Sequence, residues 1–168
     1  MSSLRSLNVL ALCVMLITGT TYADEEALFT TKSLTPETAL KAATAALEKC
    51  RDEGFQVAIA VVDRMGNMQV MIRDRYAGAH TPETARRKAW TATSFRTNTS
   101  DLLDITGPGK PQSGVRHVTD ALMLGGGMLI DAGGSLVGAI GVSGAPGGEL
   151  DDLCASAGIA AIEEDISF

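Results

Sequence analysis

The sequence predicts an α/β protein of the α+β kind, an antiparallel sheet of about five strands flanked by helices in the order α-β-β-α-β-β-β-α. Three observations lead there. The same helix-opening tetrapeptide, Thr-Pro-Glu-Thr, stands at residues 35–38 and 81–84; a β-rich run broken by a glycine turn lies between them; and the last third interleaves apolar residues with glycine ahead of a final helical stretch.

In the first helix Thr35 is the cap, Pro36 takes the first helical position and Glu37 faces the positive helix end. Leu40, Ala43, Leu47 and Cys50 then recur at helical spacing, and Gly54 marks the stop. From Gln56 the chain turns β-rich: QVAIAVVD, the turn Arg64-Met65-Gly66-Asn67, then MQVMIR, which reads as a hairpin. Its first strand is apolar over most of its length and is therefore expected at the centre of the sheet, covered on both faces.

The second helix runs from the capping Thr81 to about Phe95. Residues 96–116 follow as a long polar connection containing Gly and Pro, longer than loops of compact domains usually are and of the kind that often carries function; a plain surface excursion is the other reading. ALMLGGGMLID, Gly133-Gly134 and SLVGAIGVSGAPGG predict two or three short strands with tight turns. The glycines do not make a nucleotide loop: GVSGAPGG lacks both the GK[ST] ending and the GxGxxG spacing, and Glu149, Asp151 and Asp152 follow it. Those acids suit the positive end of a last helix with Leu153, Cys154, Ala157, Ala161 and Ile162 as its apolar positions.

The chain has 168 residues, with 14 Lys and Arg against 20 Asp and Glu. A pI of about 4.8 argues against nucleic acid as a partner. Residues 1–23 read as a signal peptide: Arg5 supplies the positive start, Leu7 to Ile17 is almost wholly apolar, and Thr21-Tyr22-Ala23 offers small residues for cleavage. The apolar stretch is short for a membrane span of about 20 residues, so none is expected after cleavage. Residues 24–168 then form a single domain, periplasmic or secreted. Cys13 leaves with the signal, so Cys50 and Cys154 remain. An even pair of thiols in an oxidising compartment suits a disulfide, here between the first and last helices; two separate buried thiols are the alternative.

The stretches VAIAVVDRMGNMQVMIRD, AGAHTPETARRKAWTATSF, ALMLGGGMLI and GGSLVGAIGVSGAPGGELDDLCASAGI together resemble the GlcG/HbpS-like family, a family of haem-binding and haem-degrading proteins that includes the C-terminal domain of a cobalamin adenosyltransferase. The resemblance implies a profilin-like fold, assembly into homo-oligomers, and haem or a related tetrapyrrole as cofactor, and it carries function less firmly than fold.

Imidazole is the usual iron ligand, and the chain holds only His80 and His117. His80, beside a helix start that suits a neutral imidazole, is the preferred metal ligand. Arg86 and Arg87, one to two turns on, are candidates for the propionates, and His117 is the second cofactor-binding candidate. An exposed loop histidine is the plain alternative for either. Met68 and Met71 suit packing better than iron ligation, and no CxxCH occurs for covalent attachment. Two further functions compete with haem binding. Asp63, Arg73, Asp74 and His80 could gather to bind or deprotonate a small organic acid, or the domain is an oligomeric scaffold without cofactor. No catalytic residue is assigned, and a binding protein is favoured over an enzyme; haem degradation rests on the resemblance alone.

Overall fold

The computed structural model describes residues 27–167, so the expected signal peptide lies outside the described residues. The elements are α1 (Pro36–Asp52), β1 (Ala58–Asp63), β2 (Met68–Arg73), α2 (Thr81–Phe95), α3 (Thr99–Thr106), a 3-10 turn (Ser113–His117), β3 (Gly127–Ala132), β4 (Ser135–Ser143), α4 (Gly148–Ala160) and α5 (Glu163–Ile166). The strands form one antiparallel sheet in the order β2-β1-β4-β3.

The expected fold class holds, with four strands in place of about five. Residues 121–126 add no strand because their apolar side chains go elsewhere: Ala121 and Met123 pack with Leu102 against Trp90, Phe95 and Val115. The Leu122 amide meanwhile donates to the Thr91 hydroxyl at 2.9 Å instead of a strand. The long 96–116 connection is likewise not structureless. It folds into α3, whose Thr99, Leu102 and Thr106 are buried, and then the 3-10 turn.

β1 is central and buried, as its apolar run requires. Its alternation sorts by size. Ile59 and Val61 face the larger core with Val142 and Ile140, under α1 and α4; Ala58, Ala60 and Val62 face Ala85, Ala89 and Ala92 of α2. Small residues on this second face let α2 press close to the sheet. At Gly141 of β4 a β-carbon would run into the Ala85 carbonyl, so no larger residue fits there without moving the helix.

α1 and α4 lie side by side and are joined by the Cys50–Cys154 disulfide, whose Cα atoms are 5.4 Å apart, within the span such a bond needs. Thr35 caps α1 as expected, its hydroxyl accepting from the Thr38 amide. Thr81 does not cap α2. It is the helix's first residue, buried, with its hydroxyl donating to the Gly78 carbonyl, and His80 occupies the cap position without a side-chain bond. α4 is also rotated from expectation: Leu153 is exposed, and Asp151, Cys154, Ala155 and Gly158 are buried.

Candidate functional site

α2 pressed against β4, and the loop that carries the chain from β4 into α4, enclose one side of a cleft of about 860 Å³. That is within the range of roughly 300–1,000 Å³ common for cofactor and ligand pockets. Phe55, Tyr76, Leu103, Leu124 and Pro146 give its rim an apolar character, and Leu124 is 48% exposed. Large apolar groups left open beside a cavity favour an apolar ligand over water.

His80 lines this cleft. Its backbone starts α2, while its ring, exposed, has no hydrogen-bond partner among the described residues. The loop that presents it is anchored from behind. The buried Asp74 accepts two hydrogen bonds from Arg51 of α1, at 2.8 and 2.9 Å, and one from the Arg75 amide. Hydrogen bonding from the Arg51 guanidinium, against the opposing cost of burial, holds the Asp74 carboxyl down to about 2. The Ala77 amide donates to the Asp74 carbonyl, and the Arg73 guanidinium to the Ala77 carbonyl, so the turn ahead of His80 is tied at both ends.

The other sequence candidates stand elsewhere. Arg86 bonds Glu83 at 2.7 Å and Asp120 at 2.6 Å, and Arg87 donates to the carbonyls of Asp120 and Ala121; neither lines the cleft. Reaching a ligand there would require those contacts to open. His117 is exposed on the 3-10 turn, also outside the cleft. Met68 and Met71 lie on β2, with Met71 packed against the core beneath α2.

The small-acid quartet is not assembled. Asp63 sits at the hairpin end of β1, where its carboxylate accepts from the amides of Met65 and Asn67, while Arg73 and Asp74 lie at the opposite end of β2. Six-residue strands separate those ends by roughly 17 Å. Asp74 is moreover consumed by Arg51. A carboxylate, guanidinium and imidazole acting on one small molecule therefore do not come from these residues.

The sequence reading missed the cleft's most buried charges. Lys88 of α2 and Asp151 of α4 are each 3% exposed and pair at 2.7 Å; Lys88 also donates to the Val142 carbonyl at 2.9 Å, and Asp151 accepts from the Ala145 amide at 3.0 Å. Burial pushes the Asp151 carboxyl above its ordinary range despite the opposing pull of Lys88. Next to this pair, Asp152 accepts from the Gly126 amide and from the Ser100 hydroxyl. Gly125 and Gly148 meet backbone to backbone here, an approach that any β-carbon would block and that the run of three glycines permits. Ser143, 5% exposed, completes the cleft floor. On the wall, Gln56 leaves its side-chain carbonyl buried without a partner among the described residues.

Comparison with known proteins decides the family. Residues 34–160 match the model of a family described as "Haem degrading protein HbpS-like". The chain belongs to this HbpS-like family. A crystal structure of HbpS superposes with a TM-score of 0.76 at 40% identity, covering 81% of this chain and 94% of that one. A structure described as a PduOC:Heme complex superposes with a TM-score of 0.73 at 32% identity, covering 77% and 95%. Among curated proteins, the corrinoid adenosyltransferase PduO of Salmonella typhimurium is 34% identical over 102 residues, which are 60% of this chain but only 30% of that enzyme. The match thus leaves most of that enzyme's length uncovered.

No three His, Cys, Asp or Glu side chains converge to hold a metal ion among the described residues. No helix among the described residues is long and apolar enough to cross a membrane.

Proposed function

We propose that this protein binds haem non-covalently in the cleft, with the His80 imidazole as the iron ligand and the apolar rim of Phe55, Tyr76, Leu103 and Leu124 against the macrocycle. The observation that carries the reading is the position of His80: of the two histidines, it is the one on the cleft wall, and its ring has no hydrogen-bond partner among the described residues. Membership of the HbpS-like family and the likeness to a haem-bound domain support it. Bound haem would supply an iron centre for storage, transfer, sensing or oxidative breakdown of the ring. The chain's own part is to hold that ring, exclude water from its inner face and set the iron ligand. The fixed turn from Asp74 to His80 gives the imidazole a defined starting position.

Haem titration followed by Soret absorbance tests this. Wild-type protein is expected to saturate at one haem per chain. His80→Ala is expected to shift the band and weaken binding by roughly tenfold or more, the effect of losing an interaction worth about 1.4 kcal/mol or above. His117→Ala is expected to leave band and affinity unchanged. An unchanged spectrum in His80→Ala refutes histidine ligation, and absence of saturable uptake by the wild type refutes haem binding.

We propose separately that the protein is exported from the cytoplasm. The series of Arg5, the apolar run to Ile17 and Thr21-Tyr22-Ala23 supports export with cleavage before Asp24. Mass spectrometry of the mature protein is expected to find its N-terminus at or near Asp24; cytoplasmic protein retaining residues 1–23 would refute it.

A further inference from the structure

The polar floor of the cleft is a poor bed for the apolar edge of a macrocycle, and it has a ligand chemistry of its own. Lys88 uses two of its three N–H donors, on Asp151 and on Val142. The third has no partner among the described residues, although the side chain is almost wholly buried. Ser143 is likewise only 5% exposed, and its hydroxyl has no hydrogen-bond partner among the described residues. Alternation along β4 sends Ser143 to the same face as Ala139 and Gly141, the face on which α2 and Lys88 lie. Beside them, α4 opens without a side-chain cap, so the amides of Gly148 and Glu149 have no partner within the helix. Donors from three elements, α2, β4 and the start of α4, therefore line the same cleft.

Charge decides what kind of oxygen belongs there. Lys88 contributes one positive charge, and the start of α4 about half of one. Asp151, Asp152 and Glu149 stand within the same turn of chain and oppose them with three negative charges; Glu149 reaches the rim, and the Lys88 charge is already matched by Asp151. A second carboxylate would enter a field that is negative overall, whereas an uncharged oxygen could accept the free donors without adding charge.

We propose that the cleft floor formed by Lys88, Ser143 and the first turn of α4 binds an uncharged oxygen, the carbonyl or hydroxyl of a small polar molecule, and discriminates against carboxylates. The pair Lys88–Asp151 is then a donor set held neutral as a whole, and Gln56 offers an acceptor on the adjoining wall. This goes beyond haem binding and does not depend on it.

Glycolamide and glycolate share a skeleton and differ in charge, so they test the proposal directly. Haem-free protein is titrated with each while amide NMR signals are followed. Probes this small bind in the millimolar range at best, so the titrations run to roughly 50 mM. Glycolamide is expected to shift the signals of Ser143, Gly148 and Glu149 saturably, with glycolate at least about tenfold weaker. Ser143→Ala is expected to weaken glycolamide about fivefold, as loss of one hydrogen bond does. The double variant Lys88→Met/Asp151→Leu removes both charges together, which keeps the fold testable, and is expected to abolish saturation. Equal or tighter binding of glycolate overturns the proposal, as does unsaturable binding of glycolamide or binding indifferent to both variants. Because no haem is present, none of these outcomes bears on His80.

Discussion

Replacing Cys50 and Cys154 together by alanine is expected to lower the stability of the domain by about 4–5 kcal/mol. The bond spans 104 residues of sequence, and closing a loop of that length in the unfolded chain removes entropy worth about 4.7 kcal/mol in the chain-entropy description. Both cysteines are wholly buried between α1 and α4. Alanine is therefore the right substitution, since serine would add a buried hydroxyl in need of a partner. Against a typical domain stability of about 5–15 kcal/mol the loss is large. Urea denaturation of the variant and the wild type under oxidising conditions measures it. A difference below about 1 kcal/mol would show that the unfolded chain is not constrained by this link. The same burial predicts that reductant reaches the bond only when the protein opens, so reduction of native protein should be slow and should accelerate in urea.

What the sequence made legible was local. Thr35-Pro36-Glu37 announced α1 because capping and first-turn chemistry depend on neighbouring residues alone, and the Met65-Gly66-Asn67 turn announced the β1–β2 hairpin for the same reason. Cys50 and Cys154 could be paired because helical spacing put each on an apolar face. The misjudged segments owe their structure to distant partners. Ala121 and Met123 read as strand residues, yet Leu102 and Trp90 draw them into a side cluster. α3 carries too few apolar residues to show a period. The 81–84 tetrapeptide repeats that at 35–38, but the packing of Thr81 under Gly78 turns a capping residue into a buried one and makes His80 the cap.

The candidate site divides along the same line. His80, which the structure sets on the cleft wall, stood out in the sequence because histidines are few and this one precedes a helix. Lys88, Asp151 and Ser143 were not, because charged and polar residues default to the surface in any reading without partners. One signal was present. Thr81, Ala85, Lys88, Ala89 and Ala92 form a single stripe along α2, and a lysine inside a stripe of small residues marks a charge directed at the sheet. Only the approach of α2 to β4 at Gly141, and of α4 through Gly148, supplies the carbonyl and the carboxylate that make its burial tolerable.

That buried pair gives the second large effect. Lys88→Ala is expected to destabilise the domain by about 3–5 kcal/mol, because it leaves the Asp151 carboxylate buried without its cation. The double variant Lys88→Met/Asp151→Leu is expected to be near neutral or more stable than wild type, since taking both charges out of water costs more than their attraction returns. The raised carboxyl of Asp151 points the same way: with Lys88 at 2.7 Å, burial still outweighs the attraction. For a domain of this size the single variant corresponds to a fall in melting temperature on the order of 10 °C. Thermal and urea unfolding of the two variants separate the alternatives. If Lys88→Ala and the double variant lose stability equally, the loss is one of packing by the lysine stem and not of charge compensation. If the single variant loses less than about 1 kcal/mol, water from the cleft already solvates Asp151. The expected result, a costly single change repaired by the second, would show that the pair does not earn its place through stability, which leaves its position on the cleft floor as the reason for having it.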